Sequence, residues 1–208
     1  MLASEIFKAN DIRGIVGTGW DAAGARALGQ AYARLVPQRR IVVGRDMRVT
    51  SPKMQAAFIR GVTESGVSVV DIGLASTDTV WFASGRLDLP GVQVTSSHNP
   101  SEYNGLKFCV EGAKPVTTGF LTALAKLAMK LDSAGLTPVG AVEGSVEYVD
   151  VLEDYVSYLL SLVDLGDLSK APVATGDGSS CHRGRFQLPP GTVPGVRLTP
   201  SGRPPATG

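Results

Sequence analysis

The chain has 208 residues, which is long enough for one domain of ordinary size or for one domain and a piece of another. Hydrophobic residues make up 43% of it, a fraction that suits a packed core. Its formal net charge of +1 argues against nucleic acid or a membrane surface as a partner, and no segment reaches the roughly 18 apolar residues of a membrane helix. The two cysteines, Cys109 and Cys181, form no CxxC pattern, which argues against a disulfide framework or zinc site and favours a cytoplasmic location.

Helix and strand patterns alternate along the first 163 residues. After a glycine-punctuated loop over 11–19, small and apolar residues at helical spacing predict a helix over 21–36. Thr50 or Ser51 is expected to cap a second helix, with Pro52 in its first turn and Gly66 as its C-cap. Further β-branched runs and amphipathic spacings predict strands over 41–43, 67–72, 92–95 and 106–110 and helices over 76–86, 117–131 and 149–163.

This alternation predicts a layered α/β domain. The connection over 96–105 is too short for a helical crossover, so we expect the strand over 106–110 to be antiparallel and the sheet to be mixed. We divide the chain into a first domain over 1–140, a segment over 141–170 whose helix leads into a second domain, and a tail over 171–208.

The tail differs sharply from the rest of the chain. Its 38 residues include seven Pro, seven Gly and four Arg, with one Asp and no Lys or Glu. Such a segment has little apolar surface with which to offset the entropy of ordering, so we expect it to be disordered. It is either a natural flexible tail or, as the sudden loss of pattern favours, the product of a changed reading frame.

The densest chemical signal lies in residues 94–107. Ser96, Ser97, His98 and Asn99 follow the end of a predicted strand, and strand ends are where α/β sheets bind ligands. A serine oxygen is a poor nucleophile without a neighbouring base or an electrophile held close, and His98 and Lys107 are the nearby titratable groups. The competing interpretation is an ordinary polar turn with His98 at the surface.

Three motifs resemble those of the α-D-phosphohexomutases, the family of phosphomannomutases and phosphoglucomutases. Residues 95–100 and 103–107 resemble the active-site serine loop T-[AGS]-S-H-N-P and the following Y-N-G-x-K. Residues 7–14 are similar to the family's F-[RK]-x-[YN]-D-I-R-G, and residues 43–52 to its V-G-x-D-x-R-x-S-S-P. The resemblance covers about residues 5–165 and implies a three-layer α/β/α domain around a mixed, mostly parallel sheet.

The resemblance also implies a role for each matching residue. Ser97 would be the phosphoserine that donates its phosphate to a hexose monophosphate, forming a hexose bisphosphate that returns the phosphate at its other position. Lys107 would stabilise charge and transfer a proton, while His98 and Arg13 would line the active site. Thr95, Ser96 and Asn99 would complete the phosphate loop, and Arg45 and Arg48 would support it from behind.

Other parts of the family's machinery are missing from the sequence. The magnesium loop D-G-D-G-D-R, which would hold Mg²⁺ against the phosphate on Ser97, is absent, and residues 175–180 carry one carboxylate where that loop has three. The sugar-specificity loop G-E-x-S-[GA]-H and the phosphate-binding loop R-x-S-G-T-E-P are absent as well. We therefore expect a truncated chain, inactive by itself and lacking C-terminal domains, and the preferred hexose stays open.

Two other functions compete with a mutase. A non-catalytic module that binds phosphosugars would use the same loop without accepting phosphate on Ser97. A serine hydrolase is disfavoured, because the sequence has no G-x-S-x-G elbow and His98 directly follows Ser97 instead of coming from a separate segment.

Overall fold

The computed structural model describes residues 2–134 and 142–164. The chain divides into two units, Met1–Tyr155 and Val156–Gly208, and the described part of the second unit is limited to residues 156–164. The domain boundary expected at 140, the tail over 171–208 and Cys181 lie outside the described residues. No helix among the described residues is both long enough and apolar enough to cross a bilayer.

The described residues form seven strands and five α-helices. The strands are β1 (Ile12–Ile15), β2 (Arg40–Arg45), β3 (Ser68–Leu74), β4 (Gly91–Val94), β5 (Tyr103–Val110), β6 (Lys114–Pro115) and β7 (Val146–Tyr148). The helices are α1 (Ala22–Leu35), α2 (Ser51–Glu64), α3 (Thr77–Leu87), α4 (Thr118–Ala134) and α5 (Leu152–Ser161). Gly66, with φ of 82°, ends α2 in the left-handed region, close to where the sequence predicts the helix to stop.

The strands form one mixed sheet in the order β1-β5-β4-β2-β3-β7, with β6 also paired to β5. Strands β4, β2, β3 and β7 pair in parallel, whereas β5 is antiparallel to β1, β4 and β6. Within the described sheet β5 is therefore the single strand that runs against the others. This confirms the mixed, mostly parallel sheet and the antiparallel direction expected for the strand over 106–110.

Helices cover both faces of the sheet, because successive side chains of its buried strands point to opposite sides. Ile41 and Val43 of β2 pack with α1, α2 and α4 in the larger core, which also contains Phe58 and Leu124. Val42, between them, packs in a smaller core with residues of β3 and α3. The three-layer α/β/α fold is thus confirmed.

The loop expected over 11–19 is wrong in part, because Ile12–Ile15 form strand β1. Ile12 pairs with Leu106 of β5 and is 1% exposed. A four-residue strand that contains a glycine has little pattern of its own, and it is stabilised by pairing with a strand some ninety residues later. The short strands β6 and β7 were also not predicted, and α5 begins at Leu152 instead of 149.

Candidate active site

The two loops with the strongest sequence motifs lie at one edge of the sheet. Neighbouring parallel strands β2 and β4 end at Arg45 and Val94, and their carboxyl ends meet at this edge. The backbone N–H of Asp46 donates to Val94 O at 2.9 Å, which joins the two loops at their start. Carboxyl ends of parallel strands are the usual place for a ligand site in α/β sheets.

Ser97 is exposed in the loop that joins β4 to β5. Its φ of 56° is in the left-handed region, and its backbone N–H donates to Thr95 Oγ1 at 2.9 Å. The Oγ of Ser97 lies 3.4 Å from His98 Nδ1, at the long limit of a hydrogen bond. Within the described residues no carboxylate orients the His98 ring, so the pair lacks the third group of a hydrolase triad.

Asp46, the first residue after β2, is the hydrogen-bonding centre beneath the loop. Its Oδ1 accepts from Ser51 Oγ at 2.5 Å and from the backbone N–H of Arg48 at 3.0 Å. Its Oδ2 accepts from Thr95 Oγ1 at 2.7 Å and lies 3.2 Å from Arg48 Nε. Both carboxylate oxygens are therefore committed to holding the two loops together.

Arg48 binds the backbone of the serine loop through its guanidinium group. Its Nη2 donates to the carbonyl oxygens of Ser97 at 2.8 Å and Asn99 at 2.7 Å. Its Nη1 donates to those of Pro100 at 2.7 Å and Tyr103 at 3.1 Å. The Arg48 side chain is 9% exposed, so it lies behind the loop instead of facing solvent.

Two asparagines hold the ends of the same loop. The Asn99 amide donates to Ser96 O at 2.8 Å. The buried Asn104 amide donates to the hydroxyls of Thr50 at 2.8 Å and Ser51 at 3.0 Å. Thr50 occupies the N-cap position of α2, but its side chain makes no cap hydrogen bond, since these hydroxyls serve the loop network instead. Ser96 Oγ is buried and has no partner among the described residues.

Arg13 lines a cavity of about 500 Å³ beside the loop. The cavity is also bounded by Lys8, Asp11, Asn99 and other residues of the segments around them. Arg13 donates through Nε to Asp11 Oδ2 at 2.7 Å, and this ion pair fixes the direction of its side chain. With two cations and one carboxylate in its lining, the cavity carries a net positive charge that suits an anionic group.

Lys107 lies in β5 and shares a sheet face with Arg13. Leu106 and Phe108 pack in the larger core, so Lys107 between them points to the α3 side. Arg13 pairs with Gly105, two residues before Lys107, which makes the two cations diagonal neighbours. Nζ of Lys107 makes no hydrogen bond or ion pair with any part of the chain that the structure describes.

The described residues do not form a magnesium site. No group of three or more His, Cys, Asp or Glu side chains among them is arranged to hold a metal ion. Asp46, the carboxylate bonded to the serine loop, has both oxygens occupied, and Asp11 is paired with Arg13. The expected Mg²⁺ therefore stays a prediction.

The structure brings some of the expected site residues into contact and leaves others apart. Thr95, Ser96, Ser97, His98 and Asn99 form one connected loop, and Asn99 also borders the cavity that Arg13 lines. Within the described part of the chain, Lys107 forms no hydrogen bond or ion pair with that loop.

Three residues of the site were not singled out as functional from the sequence: Asp46, Asn104 and Asp11. All lie within motifs that the sequence presents, but only the fold shows which distant groups they bind. The hydrogen bonds from Arg48 to four carbonyls could not be predicted from the sequence either, since these carbonyls lie about fifty residues away in the chain.

Fold and site together define a three-layer α/β/α domain that presents an exposed serine beside a cationic cavity at the carboxyl edge of its sheet. Residues 4–134 match the family model described as phosphoglucomutase/phosphomannomutase, alpha/beta/alpha domain I. The chain belongs to the phosphoglucomutase/phosphomannomutase family.

Individual relatives agree with this assignment. A phosphomannomutase of Escherichia coli is 38% identical over 182 residues, covering 85% of this chain and 39% of that protein. A Klebsiella pneumoniae phosphomannomutase is 39% identical over 153 residues, which cover 72% of this chain and 96% of that sequence. The crystal structure of a phosphoglucomutase/phosphomannomutase family protein from Burkholderia thailandensis aligns with a TM-score of 0.67 and 33% identity, over 80% of this chain and 38% of that one. The chain thus spans about two-fifths of the Escherichia coli and Burkholderia thailandensis proteins.

Proposed function

We propose that this protein serves an intramolecular phosphotransfer on hexose phosphates, of the phosphomannomutase and phosphoglucomutase type, with Ser97 as the residue that carries the phosphate. The observation that carries the proposal is the setting of Ser97. Its hydroxyl is exposed, while its backbone N–H and carbonyl are both held by hydrogen bonds from within the domain. Membership of the family supports a sugar phosphate as the substrate class.

In the proposed reaction, the bond between Ser97 Oγ and phosphorus breaks as a hydroxyl oxygen of the hexose monophosphate forms a new bond to the same phosphorus. The hydroxyl proton passes to a base, Ser97 Oγ takes up a proton as it leaves, and the product is a hexose bisphosphate. The bisphosphate reorients, and Ser97 Oγ loses its proton and bonds to the phosphorus at the other position. The bond from that phosphorus to the sugar oxygen breaks, and the oxygen takes up a proton to give the isomeric hexose monophosphate. Such transfers depend mainly on positioning and on neutralising charge at the phosphoryl oxygens.

The neighbouring residues have roles consistent with their positions. We assign Lys107 to charge stabilisation and proton transfer, since its ammonium group has no partner among the described residues. Arg13, already oriented by Asp11, lines the cavity that would receive the sugar phosphate. His98, whose Nδ1 lies near Ser97 Oγ, would adjoin the phosphate, and Thr95, Ser96 and Asn99 would shape the loop around it. Mg²⁺ at the Ser97 phosphate stays part of the proposal, but none of these steps depends on it.

The test is the position of phosphate after exposure to a donor. We expect prolonged incubation of the protein with glucose 1,6-bisphosphate to place one phosphate on Ser97, detected by peptide mass spectrometry. Ser97→Ala should abolish the modification. Ser96→Ala is the matched control and should retain it, because Ser96 Oγ is buried and cannot meet a donor. Phosphate on Ser96 or Ser101 with Ser97 unmodified would overturn the proposal.

A non-catalytic phosphosugar-binding module is the second candidate. It is favoured by one observation: the cationic cavity is lined by Lys8 and Arg13 and not by Ser97 itself. Such a module would bind glucose 1-phosphate in an NMR titration, weaken on Arg13→Ala, and leave Ser97 unmodified by the bisphosphate. Cleavage of p-nitrophenyl acetate that is lost in Ser97→Ala would instead indicate a hydrolase.

A further inference from the structure

One guanidinium group collects four backbone carbonyls of the serine loop. The acceptors are the carbonyl oxygens of Ser97, Asn99, Pro100 and Tyr103, all within 3.1 Å of the terminal nitrogens of Arg48. Arginine offers four terminal N–H donors in a fixed plane, so this set uses the terminal donors fully. The loop from Ser97 to the start of β5 is therefore wrapped around a single side chain.

The Asp46 carboxylate controls the other side of Ser97. The carboxylate accepts a hydrogen bond from Thr95 Oγ1. Thr95 Oγ1 in turn accepts a hydrogen bond from the backbone N–H of Ser97. Because the Thr95 hydroxyl proton is directed to Asp46, a lone pair of its oxygen is left for Ser97. Asp46 Oδ2 also lies 3.2 Å from Arg48 Nε, an ion pair without a hydrogen bond, so its charge attracts the guanidinium group that holds Ser97.

The backbone of Ser97 needs such support. Its φ of 56° is unfavourable for any residue with a Cβ, and such conformations persist where the surroundings over-determine them. Both polar backbone groups of Ser97 are bound, the carbonyl by Arg48 and the N–H by Thr95. The Ser97 hydroxyl, by contrast, makes only the long contact with His98 among the residues that the structure describes.

We propose that Asp46 and Arg48 are positioning residues for Ser97, which hold its backbone in the left-handed conformation that presents Oγ for phosphorylation. Arg48 acts through the Ser97 carbonyl, and Asp46 acts through the Thr95 hydroxyl. Neither touches the substrate, since both side chains lie behind the loop, with that of Arg48 9% exposed and that of Asp46 19% exposed. The catalytic part of this inference rests on the proposed function of Ser97, whereas the conformational part does not.

Two measurements on the full chain separate these parts. The first is the set of Ser97 backbone and Cβ chemical shifts in NMR spectra, which report the backbone conformation without any reaction. The second is the rate at which glucose 1,6-bisphosphate modifies Ser97. We expect Arg48→Lys, which keeps the charge but loses the planar set of donors, to shift or split the Ser97 signals and to slow modification about a hundredfold.

Two substitutions of Thr95 test the bridging hydroxyl, and Arg26→Lys is a matched control for Arg48→Lys. Thr95→Ser retains the bridging hydroxyl and should keep both the Ser97 signals and the rate, whereas the isosteric Thr95→Val should lose both. Arg26→Lys breaks a two-nitrogen arginine–carboxylate pair elsewhere in the domain, with Glu64 between α1 and α2, and should lower stability without moving the Ser97 signals. If Arg48→Lys does not fold, the Thr95 pair carries the same test.

Unchanged Ser97 signals in Arg48→Lys or in Thr95→Val would overturn the proposal, and so would equal disturbance by Arg26→Lys. If the wild-type chain takes up no phosphate on Ser97 while the Thr95 and Arg48 variants still move its signals, the proposed function fails and the positioning stands. If Ser97 is modified equally fast in all variants, positioning is refuted and the proposed function stands.

Discussion

Ser97 has a backbone conformation that residues other than glycine rarely adopt. Its φ of 56° lies in the left-handed region, where a Cβ costs roughly 1–2 kcal/mol. The hydrogen bonds from Arg48 and to Thr95 offset this cost in the folded chain. The proposed role explains why a hydroxyl side chain is kept at a position where glycine would be free of strain.

This strain predicts an unusual order of stability at position 97. We expect Ser97→Gly to unfold with a free energy about 1 kcal/mol higher than that of Ser97→Ala, since only glycine adopts the left-handed region without a Cβ clash. At most positions alanine is the more stable of the two by roughly 0.5–1 kcal/mol. Urea denaturation followed by circular dichroism measures the difference.

Ser101, in the same loop and without a positive φ, supplies the control pair. There Ser101→Ala should be at least as stable as Ser101→Gly. If alanine is also the more stable residue at position 97, the backbone of Ser97 is not strained.

At the scale of secondary-structure elements, helices α1 and α2 pack with their backbones in close contact. A Cβ on Gly29 would lie 2.1 Å from Phe58 O, and a Cβ on Gly61 would lie 2.0 Å from Arg26 O, so the backbones touch through glycines. Beside this contact the Glu64 carboxylate accepts from Arg26 Nε and Nη2, both at 2.7 Å, and from Arg60 Nε at 2.9 Å. The side chain of Glu64 is 6% exposed.

The charge on Glu64 makes the stability of this helix pair depend on pH. Burial alone would raise the pKa of the Glu64 carboxyl, but hydrogen bonds from Arg26, Arg60 and Gln30 and the charge of Arg26 outweigh it and lower the pKa below its ordinary value. A lowered folded-state pKa adds stability that is fully present above the unfolded value of about 4.3 and disappears as pH falls through the folded value. We expect Glu64→Gln to reduce the free energy of unfolding by about 1.5–3 kcal/mol at pH 7.

The difference between wild type and Glu64→Gln should shrink as the pH is lowered below about 4, in urea unfolding measured across the range. Glu153→Gln, a change on the exposed face of α5, is the control and should leave the free energy of unfolding nearly unchanged. A loss of stability in Glu64→Gln that stays constant down to pH 2 would show that packing, and not charge, makes the contribution.

Local sequence patterns were sufficient to predict most of the helices and strands. Helices α1 to α4 and strands β2 to β5 were predicted, because each has a clear helical spacing or a β-branched run, in some cases with end signals such as Pro52 and Gly66. Strand β1 was not, because Arg13 and Gly14 interrupt its apolar residues. Strand β7 was not either, since all three of its residues are exposed and it has no buried face to give a period.

For the whole molecule, we predict that the 208-residue polypeptide does not turn over hexose phosphates by itself. Transfer between Ser97 and a sugar phosphate brings two phosphate groups together, and their repulsion must be compensated. The sequence has no D-G-D-G-D-R or R-x-S-G-T-E-P loop, and no metal-binding cluster is present among the described residues. The lost positioning is worth up to roughly 7–11 kcal/mol of the activation barrier, so only slow uptake of a single phosphate on Ser97 is expected and not turnover.

A coupled assay with mannose 1-phosphate and with glucose 1-phosphate, in the presence of Mg²⁺ and a hexose bisphosphate, tests this prediction. The Escherichia coli phosphomannomutase that is 38% identical serves as the positive control. Turnover by the 208-residue chain within about a hundredfold of a typical ~10 s⁻¹ would contradict it. In that case the charge compensation would have to come from residues already in this chain or from a second copy.

The sequence by itself was enough to predict the layered α/β fold, the antiparallel β5 and the serine loop with its family. These features follow from periodicity, loop length and contiguous motifs, all of which are local properties of the chain. Only the tertiary structure decided that Asp46 binds Thr95, that Arg48 binds four loop carbonyls, and that Arg13 and Lys107 share a face of the sheet. Each of these arrangements brings together residues about fifty or more positions apart. Such pairs meet only when strands far apart in the chain become neighbours in the sheet, and that order is set by packing of the whole domain.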